Sequence, residues 1–206
     1  MHKEISEKVN AYYTGKIKEH GVSPNGVDWN GEDSQFLRFS ELMRVLPEDG
    51  SAFTVLDFGC GYGALIDALN VRFKDKFEYT GLDISEEMVQ AARQEYGSQG
   101  TFLTELPEAF KSDFLIASGI FNVRLDTTMD EWEQYIRTTI ARFDKLSLKG
   151  FSFNMLTSYS DADRMKDYLY YQVPEDMFRY CKLNFSRRVA LLHDSPLYEF
   201  TILVRK

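Results

Sequence analysis

Thr54-Val55-Leu56-Asp57-Phe58-Gly59-Cys60-Gly61-Tyr62-Gly63 is the stretch whose reading decides the fold. The apolar run from Phe53 to Leu56 reads as a buried strand of a parallel sheet, where both faces are covered. It ends at an acid, Asp57, and runs into glycines at positions 59, 61 and 63. Glycines at such a turn let the backbone bend sharply and let a ligand approach the main chain. Ala64-Leu65-Ile66-Asp67-Ala68-Leu69 follows with the spacing of a helix packed on that sheet. The first N–H groups of such a helix have no partner within it. Strand, glycine turn and helix together make a cofactor cradle.

Gly59-x-Gly61-x-x-Ala64 also satisfies the dinucleotide fingerprint, so the glycines alone leave a nicotinamide-dependent reductase open. Asp57 argues against it, because a carboxylate at the strand end repels a pyrophosphate. An acid there suits a ligand with positive charge, such as an amino group or a sulfonium. Tyr79-Thr80-Gly81-Leu82-Asp83-Ile84-Ser85 is a second strand ending in an acid, about 20 residues on. The Asp83 carboxylate can accept hydrogen bonds from both hydroxyls of a ribose. Val55–Gly63 and Gly81–Ser85 together resemble the first two motifs of the class I S-adenosylmethionine-dependent methyltransferases. The resemblance is specific over Phe53–Ser118 and one of layout beyond it.

Composition sets bounds. With 206 residues, 44% hydrophobic and 15% aromatic, the chain can bury one core, and a single domain over 1–206 is expected. A net charge of −8 opposes nucleic acid, whose phosphates need a basic face, and an anionic membrane surface. Cys60 and Cys181 form neither a metal nor a disulfide pattern, which fits a reducing, cytoplasmic setting. No apolar run is long enough to span a bilayer, and the first residues lead into a polar helix.

Along the chain, Ile5, Val9, Tyr12, Tyr13 and Ile17 share a helical stripe that ends near Gly21, before a loop over Val22-Ser23-Pro24-Asn25-Gly26. Asp33 or Ser34 is the expected cap of a second helix running from Gln35 to Leu46. Ser85 should cap a helix reaching Tyr96, and Thr101–Leu103 and Asp113–Ser118 read as the third and fourth strands. An amphipathic helix over Asp130–Leu146 leads to a fifth strand, Gly150–Leu156, and Pro174 opens a further helix. Arg187–His193 and Tyr198–Val204 are strands joined by so short a turn that they must form an antiparallel hairpin.

The resemblance implies a Rossmann-like α/β fold: a mostly parallel sheet of seven strands, helices on both faces and a C-terminal antiparallel hairpin. Residues 1–50 would form a helical lid, with Tyr12, Tyr13 and Trp29 over the site, and residues 51–206 the catalytic core. S-adenosylmethionine would lie on the loop Gly59, Cys60, Gly61 and Gly63, between Asp57 and Asp83. Ile84 and Met88 would flank the adenine, Glu105 and Leu106 would stand at its amino group, and Ser118 at the crevice. Arg38 would hold the methionine carboxylate. Asn122, Tyr159, Tyr171 and His193 are the expected acceptor-side residues, the tyrosines forming a substrate wall.

Ser118 to Asn122 lacks the Asn/Asp-Pro-Pro-aromatic motif of amino-methylating enzymes acting on nucleic acid or glutamine, and neither cysteine sits in the Pro-Cys of a cytosine-methylating enzyme. A small-molecule acceptor is therefore expected, with no metal and no assigned catalytic base, and the whole-chain resemblance to bacterial methyltransferases implies one of a carbohydrate or other polar kind. His193 is the one histidine placed to act as a base. The alternative within the same resemblance is a module that binds S-adenosylmethionine without catalysis.

Overall fold

The computed structural model describes residues 2–21, 23 and 31–206. Trp29 and most of the loop expected after Gly21 lie outside the described residues. The first half of the chain runs α1 (His2–His20), α2 (Glu32–Leu42), β1 (Phe53–Phe58), α3 (Leu65–Phe73), β2 (Phe77–Leu82), α4 (Glu86–Tyr96) and β3 (Gly100–Leu103). The second half runs β4 (Ser112–Ala117), α5 (Met129–Leu146), β5 (Ser147–Thr157), β6 (Tyr171–Gln172), α6 (Pro174–Asn184), β7 (Arg188–Leu192) and β8 (Glu199–Arg205).

The strands lie in the order β3-β2-β1-β4-β5-β8-β7. The first five strands are mutually parallel, and β8 is antiparallel to both β5 and β7. This follows from the connections: helices carry the chain back after β1, β2 and β4, whereas the short turn before β8 permits only a hairpin. The order reverses between β1 and β4, which opens a crevice at their carboxyl ends. Side chains alternate between faces. Val55, Tyr79, Ile116 and Leu203 pack under α2, α3 and α4, while Leu56, Leu115, Phe153 and Ile202 pack under α5, α6 and Ile5 of α1.

Ser85 caps α4 as expected, its Oγ accepting the Met88 N–H at 3.3 Å. Helix α2 departs from expectation: it begins at Glu32 with no side-chain cap, and Ser34 donates to the Gly31 carbonyl at 2.9 Å. An acid such as Asp33 in the first turn already favours the positive end of the helix dipole, so the turn forms without a cap. The same helix tightens at Met43 into a 3-10 turn, Met43–Val45, instead of running on to Leu46. Strand β6 was not legible as a strand. It pairs Tyr171 and Gln172 with Leu156 and Thr157, adding an eighth, two-residue strand that lays the tyrosine-rich segment along β5. Among the described residues, no helix is long and apolar enough to cross a membrane.

Candidate active site

A cavity of about 340 Å³ lies where the carboxyl ends of β1, β2 and β4 meet beneath α1. That volume is within the range of small-ligand pockets. Its floor is the loop Gly59-Cys60-Gly61, its sides are Leu82–Ser85 and Ser118–Ile120, and Val9, Asn10 and Tyr13 of α1 roof it. Gln35 and Phe39 reach in from α2, and Tyr135 and Arg142 from α5. The Arg142 guanidinium sits 5.4 Å from the Phe58 ring centroid.

The glycines are there because the turn is left-handed: Gly59, Gly61 and Gly63 have φ of 80°, 54° and 93°. A Cβ on Gly59 would also lie 2.4 Å from Cγ2 of Ile120. The turn is tied to β2 by Gly59 and Cys60 N–H groups donating to the Leu82 carbonyl at 2.7 and 3.0 Å. Gly61 N–H donates to Asp83 Oδ2 and Ser85 N–H to Oδ1, both at 2.9 Å. A carboxylate has about four acceptor positions, so Asp83 is held rigid and keeps acceptor capacity toward the cavity. Burial raises its carboxyl above the usual range, and the N–H groups of Ser85, Gly61 and Ile84 oppose that.

Asp57 is 3% exposed and accepts the Tyr79 hydroxyl at 2.6 Å. Burial pushes its carboxyl up to about 7; the Tyr79 hydrogen bond pulls it down and neighbouring Asp83 pushes it further up. A buried acid in that state gains from any cation placed beside it. Ser118 Oγ is buried at the cavity wall and, among the described residues, has no hydrogen-bond partner. A hydroxyl in that state costs about 1–3 kcal/mol until a partner arrives. The donor set therefore fits a ligand with vicinal hydroxyls and a cationic end.

Of the residues expected at the cofactor, Asp57, Gly59, Cys60, Gly61, Asp83, Ile84, Met88, Glu105 and Ser118 all line this cavity. Gly63 does not; a Cβ there would lie 3.0 Å from Tyr96 and 3.2 Å from Phe102, so it serves close packing against α4 and β3. Leu106 packs against the α5-side core instead. Arg38 is turned away, its guanidinium paired with Glu199 at 2.8 Å, and the cavity-facing residues of α2 are Gln35 and Phe39. Gln35 Oε1 accepts the Tyr62 hydroxyl at 3.2 Å.

The expected acceptor-side residues stand apart from the cavity. Asn122 Oδ1 accepts the Leu156 N–H at 3.2 Å, which spends it on joining a loop to β5. Tyr171 accepts the Lys166 N–H, and Tyr159 donates to Glu175 on the surface at 2.7 Å. His193 packs its ring 5.8 Å from Tyr159 and 6.3 Å from Phe200, beyond the end of β7. The outer hairpin carries it away from the β1–β4 crevice. Sequence reasoning missed Tyr79 and Gln35. Tyr79 was detectable, since it precedes Gly81 by one period of the strand and so shares Asp57's face.

The chain has clear relatives among known proteins. It is 51% identical over 156 residues to Rv1506c of Mycobacterium tuberculosis, named a methyltransferase by inference, a match covering 75% of this chain and 93% of that one. Residues 55–140 match the family described as "Methyltransferase domain". The DhpI-SAH complex has a TM-score of 0.65 at 16% identity, covering 98% of this chain and 96% of that one. The plantazolicin methyltransferase BpumL in complex with SAH has 0.64 at 12%, covering 100% and 97%. The N-methyltransferase NodS from Bradyrhizobium japonicum has 0.57 at 14%, covering 84% and 98%. At those identities the likeness to solved structures is one of fold, and it agrees with the sheet order and the crevice found here. The chain belongs to the class I S-adenosylmethionine-dependent methyltransferases.

Proposed function

We propose that this enzyme transfers the methyl group of S-adenosylmethionine to a small polar acceptor by in-line displacement in the cavity roofed by α1. The observation that carries the reading is Asp83, fixed by the Gly61 and Ser85 N–H groups beside the buried Asp57. When bound, the donor supplies a methyl group on a sulfonium already activated for displacement. Asp83 receives the two ribose hydroxyls, Ile84 and Met88 flank the adenine, and Glu105 stands at its amino group. Asp57, near the end of β1, and Ser118, just past the end of the adjacent β4, both line the cavity and together meet the ammonium. Gln35, with its oxygen on Tyr62, offers its amide N–H groups to the carboxylate in place of Arg38.

Positioning and exclusion of water then do most of the catalysis. No imidazole lines the cavity among the described residues. Helix α1 excludes water as a lid. Besides its buried Ile5 and Ile17, it is tied by Thr14 to Ser85 across 3.1 Å between hydroxyls, and by Lys8–Asp126 and Lys18–Glu87 at 2.8 and 3.3 Å. Water and salt screen exposed ion pairs of that kind, so the polar ties release at modest cost. The cavity roofed by α1 and the acidic chain support a small acceptor over a polyanion. The test is titration of the protein with S-adenosylhomocysteine, followed by incubation with a metabolite mixture and methyl-labelled donor. Label in a small polar product is expected; a folded protein that binds no S-adenosylhomocysteine overturns the reading.

A further inference from the structure

We propose that the buried Arg38–Glu199 pair is a positioning device, which orients the Asn154 amide and through it fixes the Gly119 turn in the cavity wall. Arg38 Nε lies 2.8 and 2.9 Å from the two carboxylate oxygens of Glu199. Asn154 Nδ2 donates to Glu199 Oε2, and Asn154 Oδ1 accepts the Gly119 N–H at 2.7 Å. The three side chains come from α2, β8 and β5 and are 8%, 5% and 1% exposed.

A carboxylate only accepts and a backbone N–H only donates. One orientation of the Asn154 amide therefore satisfies both neighbours, and the flipped one sets oxygen against oxygen and N–H against N–H. Stability alone does not account for the pair, since the Coulomb gain of a buried ion pair is largely cancelled by desolvation. An apolar replacement would lack the one thing the carboxylate supplies, which is a choice between the two ends of the amide. The choice matters because of what flanks Gly119, a residue with φ of 72°. On one side is Ser118, whose buried Oγ has no partner among the described residues. On the other is Ile120, whose Cγ2 fills the space where a Gly59 Cβ would be. Both line the cavity, so the relay sets the distance between the β4 turn and the glycine loop.

A reciprocal exchange tests this. Asn154→Asp alone faces one carboxylate with another, and Glu199→Gln alone removes the counter-charge of Arg38 and lets either amide end face Asn154. The double variant restores matched partners: the carboxylate at 154 accepts from Gly119 and from the amide at 199, whose oxygen accepts from Arg38. The readouts are hydrogen exchange of the Gly119 amide by NMR without ligand, S-adenosylhomocysteine affinity by calorimetry, and the thermal midpoint. Each single variant should speed Gly119 exchange and weaken affinity roughly tenfold, and the double should return both to within about threefold of the parent. Arg38→Lys, which keeps charge but loses the fork, should show a smaller change of the same kind and serves if a carboxylate variant does not fold. Singles that lower only the thermal midpoint, or a double equal to the sum of its parts, would overturn the inference. The affinity arm rests on the cofactor reading above, whereas Gly119 exchange does not. A parent protein that binds no S-adenosylhomocysteine sinks that reading and leaves the exchange result to decide this one.

Discussion

Replacing Asp57 with Asn is expected to make the ligand-free protein more stable above neutral pH while weakening the ligand. The carboxyl is pushed from an ordinary 3.8 up to about 7, mainly by burial. A folded state that holds this proton more tightly than the unfolded chain loses stability as pH rises from about 4 to about 7, and no more beyond. About 3 pH units at 1.36 kcal/mol each puts the ceiling of that loss near 4 kcal/mol. Asn keeps the shape and the acceptor for the Tyr79 hydroxyl, and has no charge to desolvate. For a chain of this length 1 kcal/mol moves the midpoint by about 2–4 °C, so Asp57→Asn should melt several degrees higher at pH 8 and gain less than half as much at pH 5. Binding should run the other way. An ammonium favours the ionised carboxylate, so S-adenosylhomocysteine affinity of the parent should climb between pH 5 and 7, by up to about tenfold per pH unit, then level off. Methylthioadenosine, which has no ammonium, should show no such slope, and neither ligand should in the variant. Scanning fluorimetry and calorimetry across pH 5–8 read both arms. A variant less stable than the parent at pH 8, or a flat parent affinity, would refute the reasoning.

Asp83→Ala should weaken S-adenosylhomocysteine and methylthioadenosine alike by roughly tenfold or more, because each charge-assisted bond to a ribose hydroxyl contributes about 1.5–3 kcal/mol. Methionine, without a ribose, should not respond; a variant that merely melts earlier at unchanged nucleoside affinity would leave Asp83 only its bonds to Gly61 and Ser85. Gly61→Val places a β-branched residue at φ 54° on the cavity floor. Circular dichroism should show a folded protein and calorimetry no binding, and undiminished affinity would remove this loop from the site. With an acceptor in hand, turnover should be indifferent to a chelator; activity lost there and restored by magnesium would contradict transfer by positioning alone.

The sequence by itself carried most of what depends on local pattern. The run Phe53–Leu56, the alternate glycines and the acids at 57 and 83 announced strand, turn and cavity floor, because period, turn chemistry and charge are properties of neighbours in the chain. Ser85 was readable as a cap, and the hairpin followed from the length of its turn. What only the tertiary structure decided was where side chains point once distant elements compete for them. Arg38 looked free to reach the cofactor, but Glu199, 161 residues later, lies within hydrogen-bond distance and takes its fork, so Gln35 faces the cavity from the same helix. Asn122, Tyr159, Tyr171 and His193 were expected at the crevice, yet the Leu156 N–H ties Asn122 to β5, and pairing of β6 with β5 and the outward place of the β7–β8 hairpin carry the other three past it. A buried charge or amide takes its partner from whatever the packing brings within 3 Å, because leaving it unpaired costs more than any local preference can return.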